Sequence, residues 1–261
     1  MRLRQVALVA RDLGPPAQSL EAVFDLKVAF RDPAVGVFGL VNVVMPVGGE
    51  FLEVVQPVRE DASAARYLAR RGGDAGYMVI LQAADALAHR ARLEAAGVRV
   101  IAKRSEGRYR FSHFHPADCT GVLLSIDSVE GEANWRGPVS DWPPAGPDWR
   151  AFASAASLGI RAVNVQARDP AAAAERWSRL LARPVARAGD GFELALDQGA
   201  IRFVSPVDED GTGVIGIDVA VTDTDAAMSR AADAGLEIQD GAVRICGVAV
   251  RPVKLPEPLG S

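Results

Sequence analysis

Apolar positions along the chain fall into short alternating runs, each followed by a helix-like stretch, and the order repeats. Arg4-Gln5-Val6-Ala7-Leu8-Val9-Ala10-Arg11-Asp12 is echoed by Arg161-Ala162-Val163-Asn164-Val165-Gln166-Ala167-Arg168-Asp169. Both read as a strand leading into a helix that ends near Val28 and Val185. The close of the unit recurs as well: Phe51-Leu52-Glu53-Val54-Val55-Gln56-Pro57-Val58 matches Ala200-Ile201-Arg202-Phe203-Val204-Ser205-Pro206-Val207, with a proline ending each strand.

A second kind of unit starts at Tyr77-Met78-Val79-Ile80-Leu81-Gln82-Ala83-Ala84-Asp85 and reappears at Ile215-Gly216-Ile217-Asp218-Val219-Ala220-Val221-Thr222-Asp223. Asp85 and Asp223 have the side chain to accept from the first free amides of a helix, and Gly97 and Gly235 suit its left-handed exit. After each helix come β-rich runs broken by Gly or Pro, at 98–102, 109–115 and 122–126 in one copy and 236–238, 243–246 and 248–250 in the other. The pattern is βαβββ, present four times, at roughly 1–58, 76–128, 158–207 and 213–253. It predicts an α+β protein with a domain at 1–128, a connector at 129–157 and a second domain at 158–261. The connector holds Trp135, Trp142 and Trp149 among closely spaced Gly and Pro, a composition expected to pack across the domain seam.

Composition narrows the function. The formal charge of −4 is spread over interleaved acidic and basic residues, without the basic stripe that a phosphate backbone demands, so no nucleic-acid partner is expected. The one apolar run near the start, Val6 to Ala10, is too short for a signal or a membrane span, which predicts a cytoplasmic protein with no membrane partner. Cys119 and Cys246 lack metal or disulfide spacing and are read as reduced, buried thiols. A small molecule is the expected ligand, and a monomer or homodimer the expected state. The glycine pairs Gly48-Gly49 and Gly72-Gly73 read as turns, and nothing matches a serine triad, a P-loop or a dinucleotide fingerprint.

Tandem βαβββ units, the opening Val6-Ala7-Leu8-Val9-Ala10-Arg11-Asp12-Leu13 and the stretch His115-Pro116-Ala117-Asp118-Cys119-Thr120-Gly121-Val122-Leu123-Leu124 together resemble the vicinal oxygen chelate superfamily. That superfamily includes glyoxalases, methylmalonyl-CoA epimerases, bleomycin-resistance proteins and extradiol dioxygenases. The resemblance covers nearly the whole chain outside the connector. It implies two glyoxalase-like domains, each an open β-sheet cup flanked by helices, in which His or Gln from a first strand and Glu from a last strand hold a divalent metal. The metal acts there as a Lewis acid on neighbouring substrate oxygens.

Carried over position by position, the slots of the first cup are Gln5, seven before Asp12, and Glu53, then Met78, seven before Asp85, and Ser125, four after Gly121. Gln5 and Glu53 are the implied metal ligands, an incomplete pair, since a thioether and a hydroxyl add little for a hard cation. No cofactor is therefore assigned with a full ligand set; a divalent metal is the one that the resemblance implies. Glu53 is the candidate ligand or general base, with His113 and His115, at period-two spacing, as candidate proton carriers or shifted ligands. The plainer reading has His115 capping the turn at Pro116, His113 packing at the rim and His89 on an exposed helix face. Asn42, Tyr77 and Tyr109, with Arg108 and Arg110 nearby, are candidate walls of a polar, aromatic mouth.

In the second cup the first-strand slots are Ala162 and Gly216 and the glutamate slots are Arg202 and Arg251, so no metal is expected there. The arginines are read either as a carboxylate or phosphate site or, preferred, as members of an internal network with Asp218 and Asn164. Three functions follow: a glyoxalase-like lyase or isomerase acting on a small oxygenated molecule, a metal-free binding or resistance protein, and, ranked last, an extradiol dioxygenase, whose two His and one Glu are not offered at the slots.

Overall fold

The computed structural model describes residues 1–255. The first half contains β1 (Arg2–Val9), α1 (Gly14–Phe24), β2 (Leu40–Val47), β3 (Glu50–Pro57), α2 (Ser63–Arg71), β4 (Ala75–Gln82), α3 (Ala86–Ala95), β5 (Val100–Arg104), β6 (Tyr109–Phe114) and β7 (Leu123–Val129). The second contains β8 (Ser157–Ala167), α4 (Pro170–Leu181), β9 (Val185–Ala188), β10 (Gly191–Ala195), β11 (Ala200–Val204), β12 (Thr212–Val221), α5 (Thr224–Asp233), β13 (Ile238–Gln239), β14 (Ala242–Ile245) and β15 (Val248–Val253).

The strands form two mixed sheets, a 7-stranded one in the order β2-β3-β1-β4-β7-β6-β5 and an 8-stranded one in the order β13-β14-β15-β12-β8-β11-β10-β9. In each, two copies of the unit meet through their first strands, β1 against β4 and β8 against β12, both antiparallel, while each last strand lies parallel beside its own first strand. This is the α+β arrangement of paired βαβββ modules that the repeat predicts. The caps follow the sequence: Asp85, Asp169 and Asp223 each accept from helix amides, and Gly97 and Gly235 take positive φ just past α3 and α5.

The first unit departs in one detail. Where its edge strand would run, Pro33–Phe38 coils into a 3-10 turn capped by Asp32, and a single bridge, Phe30 to Val44, is all that remains of the pairing. Pro33 lacks the amide that a ladder needs, and Asp32 accepts from Ala34, so this stretch satisfies itself locally.

Alternation along the strands sorts the side chains of the first sheet onto two faces. Leu3, Val6, Leu8, Val43, Leu52, Val54, Val79 and Leu81 join a core that runs on into the second sheet through Ile160, Val163, Trp177 and Phe203. Ala7, Val9, Val44, Phe51, Val55, Ile80 and Leu123 face the other way and form a separate cluster with Tyr67 and Leu68 of α2 and with Trp142, Ala145 and Trp149 of the connector. The tryptophans thus differ from expectation: Trp142 and Trp149 fill the first bowl instead of lying across the seam.

The seam is held by other groups. Glu50 pairs with Arg2 at 2.6 Å and accepts from the Ile160 amide at 3.1 Å, and the Met1 ammonium meets Asp197 at 2.7 Å. Arg71 reaches Asp208 and Asp210, both at 2.8 Å. Cys119 and Cys246 are free and buried. No helix among the described residues is long and apolar enough to cross a membrane.

Candidate functional site

The first bowl is built from the inward positions of β1, β2, β3, β4, β6 and β7. Register sets Gln5 beside Phe51 and opposite Ile80, Asn42 opposite Val55, Met78 opposite Ala7 and beside Leu123, and His113 opposite Ser125. Gln5, Asn42, Glu53, Met78 and Ser125 are all buried.

Glu53 lies between two side-chain amides. Gln5 donates through Nε2 to one carboxylate oxygen at 2.7 Å, and Asn42 donates through Nδ2 to the other at 2.6 Å. Each amide is oriented from behind: the indole N–H of Trp142 donates to Gln5 Oε1 at 2.7 Å, and the backbone N–H of Asp32 donates to Asn42 Oδ1 at 2.8 Å. An amide whose carbonyl already accepts a hydrogen bond turns its NH2 the other way, so both donors face Glu53. Among the described residues, no cation pairs with this carboxylate. Burial pushes its pKa up, the two amides pull it part of the way back, and the nearby charge of Asp32 adds to the rise.

Across the bowl stands a second carboxyl that sequence reasoning did not single out. Asp127 is buried, accepts from Ser125 Oγ and from the Tyr109 hydroxyl, and has its pKa pushed up to about 7 by desolvation against those two hydrogen bonds. The signal was present: Asp127 lies two residues past the Ser125 slot and so shares its inward parity. Tyr109 packs edge-on against Trp142 with centroids 5.6 Å apart, so the indole touches the partners of both carboxyls.

Tyr77, over the Tyr67 ring at 5.2 Å, has its pKa raised to about 12 by burial first and by nearby Tyr67 and Glu53, and so keeps its proton. His113 sits at the rim between Phe111 and Phe38, with ring centroids at 4.6 and 5.7 Å. Desolvation lowers its pKa to about 4, leaving it neutral at physiological pH. Arg108 and Arg110 point away to exposed pairs with Asp141 and Glu130.

Two candidates are not brought to this site. His115 lies past the end of β6, where its Nδ1 accepts from the Ala117 amide at 3.1 Å and caps the turn Pro116–Asp118. That is a local structural use, and it corrects the assignment of His115 as a proton carrier. Arg251 is exposed and donates to the Asp240 carbonyl instead of converging with Arg202. In the second bowl Arg202 instead bridges Glu193, at 2.7 Å, and Asp218, whose other oxygen lies 3.5 Å from the Asn164 amide. With its charge already met twice, Arg202 is a poor grip for a further anion. His89 is half-buried, not exposed, and lies 3.0 Å from Arg92.

The four slots do not fit a divalent cation. The Gln5 carbonyl faces the Trp142 N–H, both Glu53 oxygens face amide N–H groups, Met78 supplies a soft thioether, and the Ser125 hydroxyl donates to Asp127. A hard cation needs several oxygen lone pairs converging on one point, and here most of them converge on hydrogens. Among the described residues, no three His, Cys, Asp or Glu side chains gather in a metal-binding group.

A family model described as glyoxalase-like domain matches residues 6–181. The chain belongs to this glyoxalase-like family of the vicinal oxygen chelate superfamily. Among solved structures, a hypothetical protein from Staphylococcus aureus is similar over 97% of this chain and 99% of its own, with TM-score 0.67 and 11% identity. A Streptomyces coelicolor methylmalonyl-CoA epimerase variant in complex with 2-nitronate-propionyl-CoA aligns with 50% of this chain and 99% of its own, at 22% identity and TM-score 0.46. The epimerase from Mycobacterium tuberculosis aligns with 49% of this chain and 87% of its own, at 21% identity and TM-score 0.44. At these identities the likeness concerns the fold. A comparison with curated proteins gives no match.

Proposed function

We propose that the first bowl carries out metal-free proton transfer on a small oxygenated organic molecule, at a carbon next to a carbonyl, with Glu53 as the base. The observation that supports this reading is the setting of Glu53: a buried carboxylate, unpaired with any cation among the described residues, held between two neutral amides whose own carbonyls are fixed from outside. Burial raises its basicity, while the two donors limit the rise and fix the direction of its lone pairs.

In the step envisaged, the carbon–hydrogen bond breaks and its proton forms an O–H bond on Glu53. The electron pair moves into the carbonyl, giving an enolate. Tyr77, which stays protonated, is the hydroxyl assigned to the enolate oxygen. Return of the proton to the other carbon face or to a neighbouring atom gives isomerase-type chemistry of the glyoxalase kind. His113, neutral at the rim, contributes contact rather than a proton. A second reading, a metal-free binding or resistance protein, is favoured by the way Trp142 and Trp149 fill the bowl.

The test is hydrogen–deuterium exchange. Small 2-oxo and 2-hydroxy carbonyl compounds are incubated in D2O with chelator-treated protein, and loss of the proton next to the carbonyl is followed by NMR. Exchange that falls by about 100-fold or more in Glu53→Gln is the expected result. Exchange equal in both proteins, or absent from the parent across the panel, leaves the binding reading.

A further inference from the structure

Arg4 is fully buried and, unlike its neighbour Arg2, which has Glu50, is paired with no carboxylate among the described residues. It lies at a β-bulge, the register of β1 against β4 shifting between Leu3 and Gln5, so its side chain shares the bowl with that of Gln5. The guanidinium stands over three rings of the bowl, Phe51 at 5.0 Å, Trp142 at 5.2 Å and Trp149 at 5.9 Å. Its two outer nitrogens donate to backbone carbonyls, of Gly49 and, at 2.7 Å, of Ser140. Among the described residues, its Nε has no acceptor, and neither does the indole N–H of buried Trp149.

A buried cation is costly without an anion, and carbonyl dipoles with aromatic faces offset only part of the cost. Here the shortfall sits beside the proposed reaction centre. Trp142 spans the interval: its ring lies by the Arg4 guanidinium and its N–H meets Gln5, which in turn holds Glu53. The connector thus presents to the bowl what a ligand would, a carbonyl oxygen of Ser140 on Arg4 and a flat ring between Arg4 and Gln5.

We infer that Arg4 is the carboxylate-recognition residue of the first bowl. The ligand is a small carboxylic acid about the size of an indole, with its carboxylate on Arg4 in place of the Ser140 carbonyl and its carbonyl end toward Glu53, and it binds by displacing Trp142, which gives up the N–H on Gln5 and leaves Asn42 as the amide held from outside on Glu53. This rests on the proposed function for the role of the second end, but the grip on the carboxylate does not depend on proton transfer. A bidentate guanidinium discriminates an acid from its isosteric amide, which brings no charge to the site.

The test compares acetate, pyruvate and levulinate with acetamide, pyruvamide and levulinamide at constant ionic strength, with inorganic phosphate as a further arm. Tryptophan emission and thermal unfolding of the full chain are read. Saturable binding of pyruvate or levulinate, at least about tenfold tighter than of the matching amide and reduced by about tenfold or more in Arg4→Gln, is expected. Trp142→Ala, which removes the internal competitor, tightens acid binding, and this arm decides the matter should Arg4→Gln not fold. All acids are also titrated against Glu53→Gln, where binding persists even if exchange chemistry is lost, so that failure of the catalytic reading is told apart from failure of this one. Acids and amides indistinguishable across the panel, phosphate preferred to every carboxylate, or Trp142→Ala without effect on affinity would each overturn the assignment.

Discussion

The indole N–H of Trp142 donates to Oε1 of Gln5 at 2.7 Å, across 137 positions of sequence. That one bond turns the Gln5 amide so that its NH2 meets Glu53, and it places a connector side chain inside the bowl. Loss of the donor in Trp142→Phe, with the ring nearly preserved, frees the amide to flip. The expected effect is about 1–2 kcal/mol of stability from the lost buried hydrogen bond, read from urea midpoints, together with a change in any Glu53-dependent exchange rate. A variant as stable as the parent would mean that the indole is held by packing alone.

Asp127 makes stability depend on pH. Its folded pKa, about 7, lies above the ordinary carboxylate value of 3.8. The folded state therefore holds the proton more tightly, so this contribution is complete below pH ~4 and is lost as pH rises to ~7, by a few kcal/mol in all. Asp127→Asn flattens the profile over that window. An unchanged slope in urea melts from pH 4 to 8 would show that Asp127 is ionised in the folded protein.

The seam between the two sheets depends on close backbone approach. Gly247 has φ +72°, and a Cβ there would lie 1.9 Å from the carbonyl oxygen of Asp74. Gly247→Ala therefore meets both backbone strain and a collision with backbone of the other half, and should cost more than about 2 kcal/mol. Glu50→Ala, which leaves Arg2 buried without its carboxylate and the Ile160 amide without its acceptor, should cost about 3–5 kcal/mol. Thermal melts of both variants check this, and near-parental midpoints would show that the seam carries little of the stability.

Metal content follows from the donor set at the slots. Protein purified without chelator should carry Mn, Fe, Ni and Zn well below one equivalent. One equivalent that disappears in Glu53→Ala would restore the metal reading of Gln5 and Glu53.

Much of this was legible in the chain itself. Strand alternation, the capping aspartates Asp85 and Asp223 and the exit glycines Gly97 and Gly235 are local signals, and local geometry follows them. The family resemblance put Gln5, Glu53, Met78 and Ser125 at the slots of one bowl, with Asn42 as a candidate for its wall, and strand alternation turns all five to the same buried face. What escaped depends on departures from regularity or on distant sequence. Arg4 enters the bowl through a bulge, which breaks the alternation from which its direction would be read. Trp142 arrives from the connector, whose path no periodicity encodes. Asp127 had the right parity but lay one pleat beyond the family slot, where a search confined to slots does not look. His115 shows the converse: its spacing from His113 suggested a shared face, but β6 ends at Phe114 and the imidazole caps the turn instead.

The most direct test of the account is a 13C NMR titration of the Glu53 side-chain carboxyl, assigned by comparison with Glu53→Gln, in chelator and again with excess Mg2+ or Zn2+. A midpoint above the ordinary glutamate value of 4.5, the same with and without metal, is the result predicted for a buried, amide-held base. A midpoint at or below that value, or a carboxyl resonance displaced by stoichiometric cation, would contradict it.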